Sequence, residues 1–384
     1  MLKYNMTAKR LNSVKEYYFS KKLREVASLI KSGKPIINLG IGSPDLIPSN
    51  LIISELINSV SNPKANHYQS YQGIPELRKA ISDFYKKHYF VSIDPDSEVL
   101  PLIGSKEGIM HISMAFLNPG DRVLIPNPGY PTYSSVTKLL DAEPIPYELD
   151  ESKGWLPDLE KLDKSDMSKV KLMWLNYPHM PTGSEANDKF YKKIILFAKK
   201  NNILLINDNP YSFILTKKPK SFLSHEGALD VGMELNSLSK SFNMAGWRVG
   251  MLLGSSSNIK SVLKVKSNID SGMFYGIQKG AITALNQSTE WFTNLNKVYN
   301  DRREIAWKIA DKLNTTYNKN SVGLFVWARI QEKIDNVDLL VDELLYKKNI
   351  FITPGKVFGS KGNRYIRISL CTKQIFLNEA LNRL

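Results

Sequence analysis

A single cysteine, Cys371, among 384 residues excludes an internal disulfide and any cysteine-rich metal centre, and no metal is expected. Its thiol reads as a packing group. No apolar run approaches the length that crosses a bilayer, so no membrane partner is expected. The opening stretch "MLKYNMTAKRLNSVKEYY" lacks the apolar block and small-residue cleavage site of a signal peptide, and a cytoplasmic location is the expectation. Internal repeats and low-complexity segments are also missing. Neither a Walker loop nor G-x-G-x-x-G follows the first strand-like run, which argues against ATP and NAD.

The remaining composition is that of a globular protein, with 42% hydrophobic and 23% charged residues. A formal net charge of +15 raises the question of nucleic acid, because basic surfaces bind phosphate backbones by releasing counterions. The lysines, however, are scattered over the wet faces of amphipathic stretches such as "FYKKIILFAKKNN", and no block of basic residues appears. No nucleic-acid partner is expected.

From about residue 99 one phrase recurs: a short apolar run, a cluster of small or polar residues, then an amphipathic stretch. The runs are "VLPLI" (99–103), "RVLIP" (122–126), "VKLMWL" (170–175), "ILLIN" (203–207), "VGMELNSL" (231–238) and "VGMLLG" (249–254). Strands alternating with helices predict an α/β fold whose largely parallel sheet is covered on both faces. Within 185–200, Phe190, Ile194, Phe197 and Ala198 share one helical face, and "LNPGD" at 117–121 reads as a helix stop. After residue 285 a long helical pattern leads to "GLFVWARI", "NVDLLVDELLYKKN" and "YIRISLC", a smaller α+β unit. The expected division is 1–41 as an arm and part of the small unit, 42–284 as the large domain, and 285–384 as the small domain.

In open α/β sheets ligands bind beyond the carboxyl ends of the strands. Five of the runs end in chemically capable residues: "GSKEG", "NPGYPTY", "NYPHMPTG", "DNPY" and "SKS". Turn formers alone would suffice for connections, so this convergence marks a site. "GSKEG" places backbone amides and Ser105 at a helix amino terminus, which favours a phosphate. Lys240, in "SLSKSFNMAGWRVG", fits a lysine that joins an aldehyde as a Schiff base. Asp208 could hold a protonated ring nitrogen. Aldehyde, pyridinium nitrogen and phosphate together describe pyridoxal 5'-phosphate.

"SLSKSFNMAGWRVG" resembles the lysine motif of class I/II aminotransferases of fold type I. "INLGIGSPD", "HYQSYQGIPELRKAI", "LIGSKEGI", "NPGYPTY", "DNPY", "PGKVFG" and "RYIRIS" match family landmarks in the family order, over nearly the whole chain. "LIGSKEGI", "NPGYPTYS" and "KVKSNIDSG" look most like the LL-diaminopimelate aminotransferase branch. The resemblance implies a mostly parallel seven-stranded sheet between helices, a smaller α+β domain, and transfer of an amino group between an L-amino acid and a 2-oxo acid. 2-Oxoglutarate is the implied acceptor and LL-diaminopimelate a candidate substrate. It further implies that Lys240 carries the cofactor and moves the α-proton, that Asp208 keeps the ring nitrogen protonated, and that Tyr211 bonds the ring's phenolic oxygen. Tyr130 would stack on the ring. Ser105, Lys106, Ser237 and Arg248 would hold the phosphate. Tyr68 would reach the phosphate of a neighbouring subunit, which implies a homodimer. Arg367 and the amide of Gly42 would bind the substrate α-carboxylate.

One position departs from the family pattern. The usual N-N-P-T-G is "HMPTG", with Met180 where an asparagine normally serves the phenolic oxygen and the carboxylate-binding arginine. A thioether is a feeble acceptor and no donor, so Arg367 should be held less firmly. Asn176, in the cofactor-binding set, and His179 are candidates to replace the lost donor. For the distal end of the substrate, Lys106 and Asp270 are a basic and an acidic candidate, suited to a zwitterionic side chain. The same cradle also serves β-elimination lyases of this fold, the competing activity.

Overall fold

The computed structural model describes residues 7–334 and 336–384, so the first six residues of the expected arm lie outside it. Strand β1 (Ile37–Asn38) precedes the main sheet, which is formed by β2 (Val99–Leu102), β3 (Arg122–Asn127), β4 (Glu143–Glu148), β5 (Val170–Leu175), β6 (Leu204–Asp208), β7 (Gly232–Ser237) and β8 (Gly250–Gly254). Their order is β2-β8-β7-β6-β5-β3-β4. Only β8 runs against its neighbours, antiparallel to both β7 and β2. This is the expected α/β arrangement, a mostly parallel seven-stranded sheet between helices.

Alternation along the strands divides the core into two layers. Leu172, Trp174, Val123 and Ile206 point to the face covered by helices Ser105–Phe116, Pro131–Leu139 and Ser256–Lys266. Met173, Leu124 and Leu205 point to the other, under helices Pro75–Tyr89, Asp188–Asn201 and Tyr275–Leu285. This is the period-two geometry of a pleated strand with both faces buried. Replacing one such fully buried side chain, Leu205, by alanine costs about 2–5 kcal/mol.

Helix Asp188–Asn201 shows how local chemistry sets an element. Asn187 caps it by accepting from the Phe190 amide at 2.8 Å, and Asn202 ends it in the left-handed conformation. Phe190, Ile194, Phe197 and Ala198 all face the core, as their spacing predicts. The helix before "LNPGD" stops at Phe116. Strand β4 was not among the apolar runs: Pro144 and Pro146 interrupt its pattern, and they fit because β4 is an edge strand with no further neighbour to supply.

A second, antiparallel sheet of order β12-β13-β10-β9 comprises β9 (Thr316–Tyr317), β10 (Phe325–Arg329), β12 (Thr353–Pro354) and β13 (Tyr365–Ser369). Strand β1 pairs in parallel with β11 (Ile350–Phe351), and Val26 of helix Tyr18–Lys31 packs on Leu345 and Phe351. The segment after β1 continues along the small sheet, where Leu39 accepts from the Ser369 amide at 2.8 Å. This lays Gly40 and Gly42 between the two sheets. A Cβ on Gly42 would lie 2.3 Å from the Phe325 ring, so the close approach requires glycine there. Among the described residues no helix is long and apolar enough to cross a membrane.

Candidate active site

The carboxyl ends of β2, β5, β6 and β7 open into one cavity of about 300 Å³, closed on the far side by the small sheet. Ser105, Lys106, Tyr130, Asn176, Asp208, Tyr211, Ser237, Lys240, Arg248, Gly42 and Arg367 all line it. Tyr68 does not, and stands 90% exposed.

At one end, Gly104 has φ of 87° and a Cβ there would lie 2.0 Å from Arg248, so glycine lets the guanidinium lie across the start of helix Ser105–Phe116. That helix presents amides and the positive end of its dipole to the cavity, a setting for a phosphate. The Ser105 hydroxyl donates to the Asn236 carbonyl (3.1 Å). Ser237 and Ser239 line the cavity side by side, with the Ser237 hydroxyl within hydrogen-bond distance of Ser239 Oγ (2.7 Å) and the Val249 carbonyl (3.1 Å).

In the floor, Asp208 is 5% exposed, and its Oδ2 accepts from the Tyr133 hydroxyl at 2.7 Å. Its Oδ1 is buried without a partner. Burial raises the carboxyl pKa to about 7 against the pull of Tyr133, with the negative charge of Glu234 adding to the rise and Lys240 opposing it. Lys240 Nζ donates to the Gly42 carbonyl at 2.5 Å. Burial lowers its pKa and enlarges the neutral, nucleophilic fraction of the amine.

In the wall formed by the small sheet, Arg367 on β13 is 4% exposed and has no acidic partner among the described residues. Nη2 donates to the Gly40 carbonyl at 2.7 Å, Nη1 lies 3.4 Å from Met180 Sδ, and Nε has no partner. The guanidinium carbon sits 3.9 Å from the Phe325 ring centre, 4.6 Å from Phe358 and 5.3 Å from Phe19. An aromatic cage therefore fixes its plane. Burial brings its pKa down to about 10, which leaves it charged at neutral pH.

Two expectations need correction. Asp270 is not at the cavity: its Oδ1 accepts from Lys266 Nζ at 2.8 Å and from the Gly272 amide at 2.8 Å, while His111 lies 4.0 Å from Oδ2. The buried ammonium of Lys266, one helical turn earlier, draws it inward. His179 likewise turns away to Thr182 Oγ1 (2.8 Å), and burial holds it neutral with a pKa of about 3, so it does not replace the donor lost at Met180. Asn176 does line the cavity, donating to the Asp208 carbonyl (2.6 Å) and accepting from the Met180 amide (3.0 Å).

Sequence reasoning missed Tyr17 and Phe19, which line the cavity from the amino-terminal segment. Lys106 Nζ sits 4.3 Å from the Tyr17 ring centre, and the aromatic run "EYYF" was the available signal. Tyr133 was also missed, although it closes the quoted "NPGYPTY"; it stacks on Trp174 at 4.8 Å and holds Asp208 from behind.

The residues fit pyridoxal 5'-phosphate on chemical grounds. A buried carboxylate with an open oxygen, an amine of lowered pKa and a cationic helix terminus share one cavity. Comparison with known proteins agrees. The profile of the aminotransferase class I and II family matches residues 34–384, and the chain belongs to that family. It is a pyridoxal-phosphate-dependent transaminase. The LL-diaminopimelate aminotransferase of Halothermothrix orenii is 39% identical over 379 residues, covering 98% of this chain and 97% of that protein. Transaminase BacF of Bacillus subtilis is 40% identical, covering 95% and 92%. The substrate-bound BacF structure superposes with a TM-score of 0.94 at 37% identity, covering 98% and 96%.

Proposed function

We propose that the chain moves an amino group from an L-amino acid to a 2-oxo acid, with 2-oxoglutarate as acceptor and LL-diaminopimelate as a candidate donor. The observation that carries the assignment of the substrate end is Arg367. A guanidinium buried to this degree without an anion needs one, and a planar fork held by aromatic rings suits a carboxylate received by two parallel bonds.

When bound, pyridoxal phosphate supplies an aldehyde that exchanges amines and a ring that withdraws electrons from the substrate's α-carbon. Asp208 Oδ1 holds the proton at the ring nitrogen, and Tyr133 prevents the carboxylate from turning away. Ser105 and Lys106 through their amides, with Ser237 and Arg248, hold the phosphate. Tyr130 covers the ring and Tyr211 serves its phenolic oxygen. Lys240 Nζ, held at the Gly42 carbonyl, takes the proton from the α-carbon and returns it on the other side of the exchange. Arg367 and the Gly42 amide orient the carboxylate, which fixes which α-bond faces Lys240. Lys106 above Tyr17 is suited to a second carboxylate at the distal end of the substrate. With Asp270 removed from the cavity, recognition of a distal ammonium falls to other groups.

Tyr68 and Tyr71 stand exposed, as do Leu51 and Ile57 on helix Asn50–Val60 and Phe274 just before helix Tyr275–Leu285, against which helix Asn50–Val60 packs; this side of the chain is suited to a second copy, whose phosphate Tyr68 would reach. We assign residues 42–284 to a large cofactor-binding domain, 285–384 to a small domain, and 1–41 to an arm shared with it.

Two measurements test this reading. Borohydride reduction of the native enzyme followed by peptide mass analysis should place a phosphopyridoxyl group on Lys240, and its absence there refutes the assignment. A panel of amino acids, including diaminopimelate, glutamate, alanine, aspartate, methionine and aromatics, should convert the yellow enzyme to the pyridoxamine spectrum for its true donors. A transaminase must do so with glutamate alone if 2-oxoglutarate is the acceptor; a β-elimination lyase need not.

A further inference from the structure

Glu234, on β7 beneath the cavity, is 0% exposed and faces donors on every side. Its Oε2 accepts from Asn207 Nδ2 (3.1 Å) and the Phe222 amide (2.8 Å). Its Oε1 accepts from the Tyr85 hydroxyl (3.0 Å) and Asn209 Nδ2 (3.2 Å). Both amide side chains have their orientation fixed elsewhere: Asn207 Oδ1 accepts from the Tyr177 amide (3.1 Å), and Asn209 Nδ2 donates to the Lys220 carbonyl (2.9 Å). Three of the four partners are thus obliged to donate. Four donors converging on two oxygens is the arrangement that suits an ionised carboxylate, against the burial that favours the neutral acid. Among the described residues no cation pairs with it, so the charge is supported by neutral dipoles alone.

The partners connect Glu234 to both ends of the site. Asn207 and Asn209 flank Asp208 in sequence, and Asn207 lies opposite Glu234 in the β6–β7 register. Tyr85 receives Asn236 Nδ2 (3.1 Å), Asn236 Oδ1 accepts from the Ser237 amide (2.7 Å), and the Asn236 carbonyl accepts from Ser105 (3.1 Å).

We propose that Glu234 is a positioning residue for the transamination: a buried anion that locks the Asp208 carboxylate and the Ser105–Ser237 phosphate cradle into one frame, and whose charge strengthens the hold of Asp208 on the ring proton. The inference rests on the reading that Asp208 faces the cofactor ring. The other titratable groups around Glu234 are Tyr85 and Tyr89 from helix Pro75–Tyr89, Tyr191 from helix Asp188–Asn201, and Asp208 itself. Burial drives the three phenols upward, so they stay neutral over the working range. Burial also raises Glu234, and the donors from Asn207, Ser221, Phe222 and Asn209 oppose it.

The test is Glu234→Gln in the holoenzyme, which removes the charge and sets an amide donor against donors. The visible absorbance of the bound cofactor should titrate at a pH lower by about half a unit or more. kcat should fall about tenfold with KM for the amino acid little changed, and the cofactor should dissociate about tenfold more readily in equilibrium dialysis. Glu234→Asp, keeping charge at shorter reach, should restore the titration but not the cofactor affinity. A folded Glu234→Gln enzyme with the parental titration and kcat overturns the proposal. If that variant does not fold, Tyr85→Phe, which loses one hydroxyl, should weaken cofactor retention about threefold; unchanged retention overturns it. Asp208→Asn separates the two readings: an unaltered Asp208→Asn enzyme refutes the role of Asp208, whereas a crippled one beside a parental Glu234→Gln refutes the role of Glu234 alone.

Discussion

Two arginines, Arg302 and Arg367, are each 4% exposed, and they treat their charge in opposite ways. Arg302 grips Asp45 with both nitrogens, at 2.6 and 2.9 Å, and donates a further bond to the Leu370 carbonyl at 3.0 Å. Arg367 has a carbonyl, a thioether and aromatic faces, and no anion. The same contrast separates the two buried carboxylates: Glu234 is surrounded by donors, while Asp208 keeps one oxygen open. Burying a charge is costly unless its bonds are made. A saturated buried charge belongs to the scaffold; one left partly unmet is completed by a ligand.

The comparison breaks most visibly at Lys240. Lys240→Ala removes the only group given a proton-transfer role, and single-turnover conversion with glutamate should slow by about 10⁴-fold. The arginine pair then tests the distinction itself. Arg367→Leu should lower kcat/KM about 100-fold or more, since two charge-assisted bonds of about 1.5–3 kcal/mol each are lost, but it should not lower the melting temperature. Arg302→Leu abandons Asp45 and should cost about 3 kcal/mol, lowering the melting temperature by about 4 °C. Equal thermal effects from both would defeat the contrast.

Asp208 makes the smaller prediction of pH dependence. In the cofactor-free protein its pKa of about 7 lies above the ordinary 3.8, so the folded state binds the proton more tightly than the unfolded state. Stability from this group is therefore present at low pH and declines as pH rises from about 4 to about 7, by about 1.4 kcal/mol per unit. Asp208→Asn should flatten that part of the melting-temperature profile, and bound cofactor should do the same by supplying a cationic partner. With the cofactor bound, Asp208→Asn should slow turnover about 10- to 100-fold, the value of a charge-assisted bond made neutral.

The groups most legible in the sequence were those that follow directly from a strand end. Lys240, Asp208, Tyr211 and Ser105 sit just beyond apolar runs, so periodicity places them at one rim. What escaped came from distant segments or from orientation. Tyr17 and Phe19 reach the cavity from the amino-terminal segment, which is tied to the carboxyl-terminal part by β1 pairing with β11, residues 37–38 with 350–351, a contact that no local pattern announces. Asp270 carries suitable chemistry but turns toward a nearer partner, Lys266. Chain position restricts where a side chain stands, and competition among neighbours decides where it points.

Met180 offers the finest test, because it is the weakest contact of the unsaturated arginine. Its sulfur accepts from Arg367 Nη1 at 3.4 Å, where an amide oxygen would be a stronger acceptor. Met180→Asn should therefore seat Arg367 more firmly by about 0.5–1.5 kcal/mol and lower KM for the amino acid about two- to tenfold. The same amide brings a donor to the cavity, so the absorbance of the bound cofactor should titrate at lower pH. Among the described residues lining the cavity, Asn176 carries the side-chain amide that could already fill that role, since His179 faces Thr182. An unchanged titration with a lowered KM would assign the donor role to Asn176 and leave Met180 as a contact of the arginine alone; an unchanged KM would mean that the aromatic cage, rather than any acceptor at position 180, sets the pose of Arg367.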